Sequence, residues 1–219
     1  VPHAEEPPTK PAGRTGTKPA APGIDPQQLW LGTGAPRSGR GRKPAFTRQA
    51  ITAAAVALAD AEGLEAVTMR RVAAEVGAGV MSLYSYAPDK ETLLELMVDH
   101  VSAELKPGTP DLDSPRATAT SPLTGDWRSD LKAVGHLQRA QMLRHPWLPA
   151  ALATRRSLGP HALAFLEHAL AALRPTGLDG AAKLEVFSQL TGFVATYVGH
   201  EITQSAAANH PERLAAEVR

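Results

Sequence analysis

The chain contains no cysteine, which removes disulfide stapling, zinc-finger ligation and thiol catalysis together. It has no apolar run approaching the ~20 residues that span a bilayer, and its amino end lacks the apolar core of a secretory leader. A soluble, cytoplasmic protein without membrane contact is the expectation. There is no H-E-x-x-H pair, no Cys/His cluster and no G-x-S-x-G elbow, and the acidic residues are scattered. Neither enzymatic activity nor a metal or other cofactor is expected.

What is present is more pointed. At 219 residues with 43% apolar content, the chain can bury a core in one large or two small units. The net charge of +1 hides a concentration: Arg37, Arg40, Arg42, Lys43 and Arg48 fall within twelve residues that hold no acid. Residues 1–36 are rich in Pro, Gly, Thr and Ala without an apolar period, and read as a disordered or loosely docked extension. Leu29-Trp30-Leu31 interrupts it, and Trp30 can dock on the body of the protein or on a partner subunit.

The spacing predicts helices throughout and no strand. The first starts at Thr47 with Ile51, Ala54, Ala55, Leu58 and Ala59 along one face and Gly63 at its end. Thr68 can cap a second, with Met69, Val72, Ala73 and Val76 inward and a left-handed Gly77 as its stop. Gly79 opens a third that carries Leu83 inward, runs to Tyr86 and closes at Pro88, a residue suited to the first turn of the following helix. Two short helices joined through glycine behind a basic arm form a helix-turn-helix signature, which reads duplex DNA. Asp89 then caps a helix through Leu93, Leu94, Met97, Val98, Val101 and Leu105, ended by Lys106-Pro107-Gly108. A proline-rich connection covers 106–125. Further helices are expected from Asp126 to His145, Trp147 to Arg155, Pro160 to Leu173 and, capped by Asp179, Gly180 to about Gln204. Pro211 can open one more.

At these residues the chain resembles the TetR family of bacterial transcriptional repressors. The resemblance covers Arg37 to Leu105 through AITAAAVALADAEGLEAVTMRRVAAEVGAGVMSLYSYAPDKETLLELMVDHV. It continues through DWRSDLKAVGHLQRAQMLRHPWLPAALATRRSLGPHALAFLEHALAAL, which looks like the tetracycline-repressor-like carboxyl-terminal subgroup. It implies an all-α protein in which an amino-terminal three-helix DNA-binding domain (37–92, with the basic arm) precedes a helical effector-binding and dimerisation domain (93–219). The sequence stops at Arg219, short of where the family places its last long helix, which is either abbreviated here or outside the given sequence.

The basic arm Arg37, Arg40, Arg42 and Lys43 suits a phosphate backbone or minor groove, the plain alternative being a solvated linker. By resemblance, Thr47, Tyr84 and Lys90 match phosphate-contacting positions, while Arg70 matches a position that reads guanine with a bidentate guanidinium. Arg71 can serve a phosphate, and Thr68 belongs to the same contact set. In the reading helix, Gly79, Val80 and Met81 replace long polar readers and can offer only apolar contact, for instance with thymine methyls, whereas Ser82 can hydrogen-bond. Tyr86 can combine a contact with packing. A symmetric homodimer on a palindromic double-stranded operator is implied, with the helices at Pro160–Leu173 and Gly180–Gln204 as candidate interface elements.

An effector site would be lined from His136, Gln141, His145, Trp147, His168, Phe187, Tyr197 and Glu201. Three functional expectations follow. The first is a repressor released from its operator by a small molecule. The second is a helical small-molecule carrier whose helix-turn-helix no longer reads DNA. The third is an activator or global regulator that needs no ligand.

Overall fold

The computed structural model describes Trp30 and residues 46–107, 119–120, 123–154 and 159–209. Among them eight α-helices follow in order: α1 (Arg48–Glu62), α2 (Met69–Glu75), α3 (Val80–Tyr84), α4 (Lys90–Ser102), α5 (Trp127–Arg144), α6 (Leu148–Thr154), α7 (Pro160–Ala172) and α8 (Gly180–Asn209). Short 3-10 turns sit at Leu64–Ala66 and Arg174–Thr176. The expectation of no strand is corrected in one place. Lys106–Pro107 (β1) and Ala119–Thr120 (β2) pair in parallel within the proline-rich connection.

Local chemistry explains the starts of these helices. Thr47, Thr68 and Asp89 each turn an oxygen onto a backbone N–H three residues on, at 3.1, 3.2 and 2.6 Å, satisfying one of the free donors of a first turn. Asp126 does the same for α5 through Arg128 and Ser129. Gly77 sits at φ +67°, where a side chain would be strained, and turns the chain from α2 toward α3.

Ends depart from expectation by a few residues. The reading helix stops at Tyr84 instead of Tyr86, and Pro88 lies one residue before the Asp89 cap instead of inside the next first turn. α4 stops at Ser102, so that Leu105 is buried from a turn and not from the helix. α8 continues past Gln204 to Asn209.

The larger apolar core begins with Ile51, Ala55, Val72, Leu83, Leu93 and Met97 and runs on without a break into Met142, Trp147, Leu148, Val194 and Val198. It therefore joins the helix-turn-helix to the following helices across residues 92 and 93. Trp30 is half-buried against this core, the first of its two sequence-level alternatives. A second cluster of Leu105, Val134, Leu137, Phe165 and Ala169, backed by Phe187 and Leu190, lies among α5, α7 and α8. α4 packs on α1 and on α7, so one helix touches both halves. None of the helices among the described residues is long and apolar enough to cross a membrane.

Candidate nucleic-acid interface and effector half

The α2–α3 corner buries one face and leaves the other to solvent. Met69, Val72, Ala73 and Leu83 are inside, with Leu83 fully enclosed. On the outer side Arg70, Ser82 and Tyr84 are exposed, and Met81 projects with 81% of its surface free. Val80 is half-buried against the core, which leaves Met81 as the more exposed apolar side chain at the start of α3. Gly79 precedes α3 without a capping side-chain hydrogen bond.

The two adjacent arginines have different fates. Arg71 closes a two-pronged pair with Glu62 of α1, at 2.8 and 2.6 Å, and this hydrogen bonding holds the Glu62 carboxyl below its usual range. Arg70 is exposed on the neighbouring face. Lys90 donates from Nζ to the Leu64 carbonyl at 3.2 Å while its residue stays exposed beside the corner. Thr47 and Thr68 are exposed at their caps. Tyr86 is withdrawn from this surface. It lies past the Ser85 end of α3, is 6% exposed, and its hydroxyl donates to the Phe46 carbonyl, just ahead of α1, at 3.1 Å. Arg37, Arg40, Arg42 and Lys43 lie outside the described residues.

The residues proposed for an effector site divide into three groups. His136 and Tyr197 meet on the rim of a cleft of about 380 Å³ between α5 and α8, together with Lys132, Arg139, Leu190 and Phe193. Glu201 forks onto Arg139 at the same rim, with Nε 3.1 Å from one carboxylate oxygen. Phe187 packs edge-on to Phe165 at 6.2 Å between ring centres, in the second core. His168 is partly buried nearby, and desolvation lowers its pKa against a weak opposing pull from Asp130.

Gln141, His145 and Trp147 are committed elsewhere. Gln141 donates to the Val101 carbonyl at 2.7 Å, tying α5 to α4. The His145 ring lies between Asp60 and Glu104, and Trp147 Nε1 donates to Asp60 at 2.7 Å. These three side chains hold helices together and do not line the α5–α8 cleft.

Sequence reading missed their partners. Asp60, Asp99 and Glu104 looked like ordinary surface acids, and Asp99 is in fact 4% exposed. It also missed Gln138, a buried side chain whose amide donates to Thr191 at 2.7 Å and whose carbonyl oxygen has no protein partner. No group of three His, Asp or Glu side chains among the described residues is arranged to hold a metal.

An exposed α3 beside Arg70, set on a capped three-helix base, is the geometry of a helix-turn-helix reading head. Sequence comparison agrees in both halves. Residues 51–97 match the family described as bacterial regulatory proteins, tetR family, and residues 121–218 match the tetracyclin repressor-like carboxyl-terminal domain. The chain belongs to the TetR family.

Among curated relatives, the HTH-type transcriptional repressor DrrR1 of Streptomyces coeruleorubidus is 38% identical over 78% of this chain, which spans only 59% of that relative's length. An HTH-type transcriptional regulator of Saccharopolyspora erythraea is 31% identical over 90% of this chain and 79% of its own. Among solved TetR structures, ActR of Streptomyces coelicolor in complex with (S)-DNPA superposes with a TM-score of 0.60 at 29% identity, over 71% of this chain and 70% of ActR. Its complex with actinorhodin gives 0.60 at 27% identity, covering 77% and 72%.

Proposed function

We propose that this TetR-family protein is a sequence-specific DNA-binding transcriptional regulator, a repressor released from its operator by a small molecule. The observation that carries the reading is the solvent-facing edge of α3 with Arg70 beside it, over a corner whose opposite face is buried in the core. Residues 37–92 form the reading domain, with Thr47, Thr68, Tyr84, Lys90 and the basic arm on phosphates and Arg70, Met81 and Ser82 toward base edges. Residues 93–219 form the effector and dimer domain.

One head supplies few contacts, so a two-fold homodimer on a palindromic operator supplies the rest. Leu163 on α7 and Leu184, Phe193 and Tyr197 on α8 are large apolar side chains left exposed on the protomer, which supports these helices as the interface. The ligand-bound ActR structures support a small-molecule input, and the α5–α8 cleft with His136 and Tyr197 is its proposed seat here. Release requires the effector to favour a conformer whose two heads are mis-spaced for the operator.

A salt-dependent gel shift with the DNA upstream of the gene tests the reading. A specific band that weakens steeply with salt is expected, and Arg70→Ala is expected to weaken it. A helical carrier would give no band, and Arg70→Ala would then change nothing. Thermal shift against a compound panel separates a ligand-free regulator, since an effector at 100 times its dissociation constant stabilises by about 2.7 kcal/mol.

A further inference from the structure

Three segments distant in sequence meet at one imidazole. His145 closes the end of α5, and its ring is 8% exposed. Nδ1 lies 2.8 Å from Asp60 Oδ1, on the α1 helix that supports the reading corner. Nε2 lies 3.1 Å from Glu104 Oε1, in the turn that follows α4. An ionised carboxylate only accepts hydrogen bonds. A neutral imidazole has one N–H, so either tautomer would set a lone pair against a carboxylate oxygen. Only the imidazolium donates on both sides.

The surrounding groups fit a fixed positive ring. Trp147 Nε1 donates to the same Asp60 oxygen at 2.7 Å, so α1 is gripped by two donors from the α5–α6 turn. On the far side Arg144 of α5 places a guanidinium nitrogen 2.8 Å from Glu104 Oε2, near enough for charge pairing though angled off a hydrogen bond. His100, in the last turn of α4, adds a weak positive influence on Glu104. The charged and titratable groups at the ring are thus Asp60 from α1, Glu104 and His100 from the α4 end, and Arg144 from α5.

We propose that His145 is a positioning residue, whose doubly donating ring holds the reading head at a fixed attitude to the effector half by tying Asp60 to Glu104. This rests on the regulator reading for its consequence on DNA, but not for its geometry. α1 carries the α2–α3 corner, so a change in how α1 sits on the α5–α6 turn moves α3. In a two-headed regulator such a shift changes the spacing of the heads, on which operator affinity depends.

The tie has a pH sign. Burial disfavours the charged ring, but the hydrogen bonds to Glu104 and Asp60 outweigh it, and the His145 pKa stands above its ordinary 6.5. Glu104 is likewise partly desolvated, yet its bond to His145 holds its carboxyl below its usual range. The tie is therefore complete below about pH 6.5, down to the acid range where Glu104 takes a proton, and is lost as pH rises through the raised imidazole pKa.

Ring NMR titration of the full chain gives the first test. His145 is expected to titrate above 6.5 in the wild type and lower in Asp60→Asn; titration at or below 6.5 overturns the proposal. The second is a distance. Because the chain has no cysteine, Glu75→Cys on α2 and Gln189→Cys on α8 can carry spin labels, diluted with unlabelled chain. A narrow distribution at pH 6.5 should broaden at pH 9, and should be broad at both in His145→Gln. Distances identical in wild type and His145→Gln at both pH values overturn the proposal, and Asp60→Asn gives the same reading should His145→Gln fail to fold. On operator DNA, His145→Gln should lose on the order of tenfold in affinity together with the wild-type pH dependence. Absence of DNA binding by the wild type overturns the regulator reading instead, while the tie stands or falls on ring titration and distance.

Discussion

Asp99 of α4 caps α7 across 62 residues of sequence: its Oδ1 accepts from the backbone N–H of His161 at 2.9 Å while Oδ2 lies 2.8 Å from the Nδ1 of the same residue. The Ala162 N–H adds a third contact at 3.0 Å. Gly159 makes this possible, since a Cβ there would sit 2.2 Å from the Asp99 carboxyl carbon. α7 has no side-chain cap of its own at Gly159.

Two substitutions test this joint. Asp99→Ala removes the cap and should cost about 1–2 kcal/mol in urea unfolding. Gly159→Ala, which forces the carboxylate away, should cost about 1–3 kcal/mol by crowding. The double variant should cost less than the sum, because both act on one contact.

On DNA, the neighbouring arginines should separate. Arg70→Ala should lose about 1–3 kcal/mol of discrimination at one base pair in a competition gel shift. Arg71→Ala should leave operator choice unchanged, because its fork is already closed on Glu62.

Tyr84→Phe should weaken binding evenly across operator variants, as loss of a backbone contact does. Tyr86→Phe should instead lower stability by about 1 kcal/mol, the net worth of its hydrogen bond to Phe46. Fluorescence anisotropy against a set of operator variants, run beside thermal melts, distinguishes the two.

His168 and His145 should respond to pH in opposite senses. Burial lowers the His168 pKa from 6.5, so its contribution to stability is full above that value and falls as pH drops toward the lowered one. His168→Gln should flatten this acid-side loss in a series of urea midpoints.

The reading head was largely legible in the sequence because its signals are local. Thr47, Thr68 and Asp89 act on a backbone N–H three residues away, and Gly77 acts at its own φ, so each is visible in a window of a few letters. The joints between helices were not. Asp60 and His145 are 85 residues apart and Asp99 and His161 are 62 apart, and apolar periodicity tells which face is buried, not which polar groups meet there. Tyr86 fell between these cases. Its neighbour Leu83 set the inward face, but the acceptor that draws the ring under, Phe46, lies 40 residues back. The candidate effector residues mixed two kinds of histidine: His136 faces the cleft, whereas His145 is a fastening.

A helix that borrows its cap from another element cannot complete its first turn alone. α7 is finished by a carboxylate from α4, and that carboxylate in turn draws its hydrogen-bond donors from the start of α7. Each is the other's condition for stability, so denaturation should sweep through both halves of the chain in a single cooperative transition.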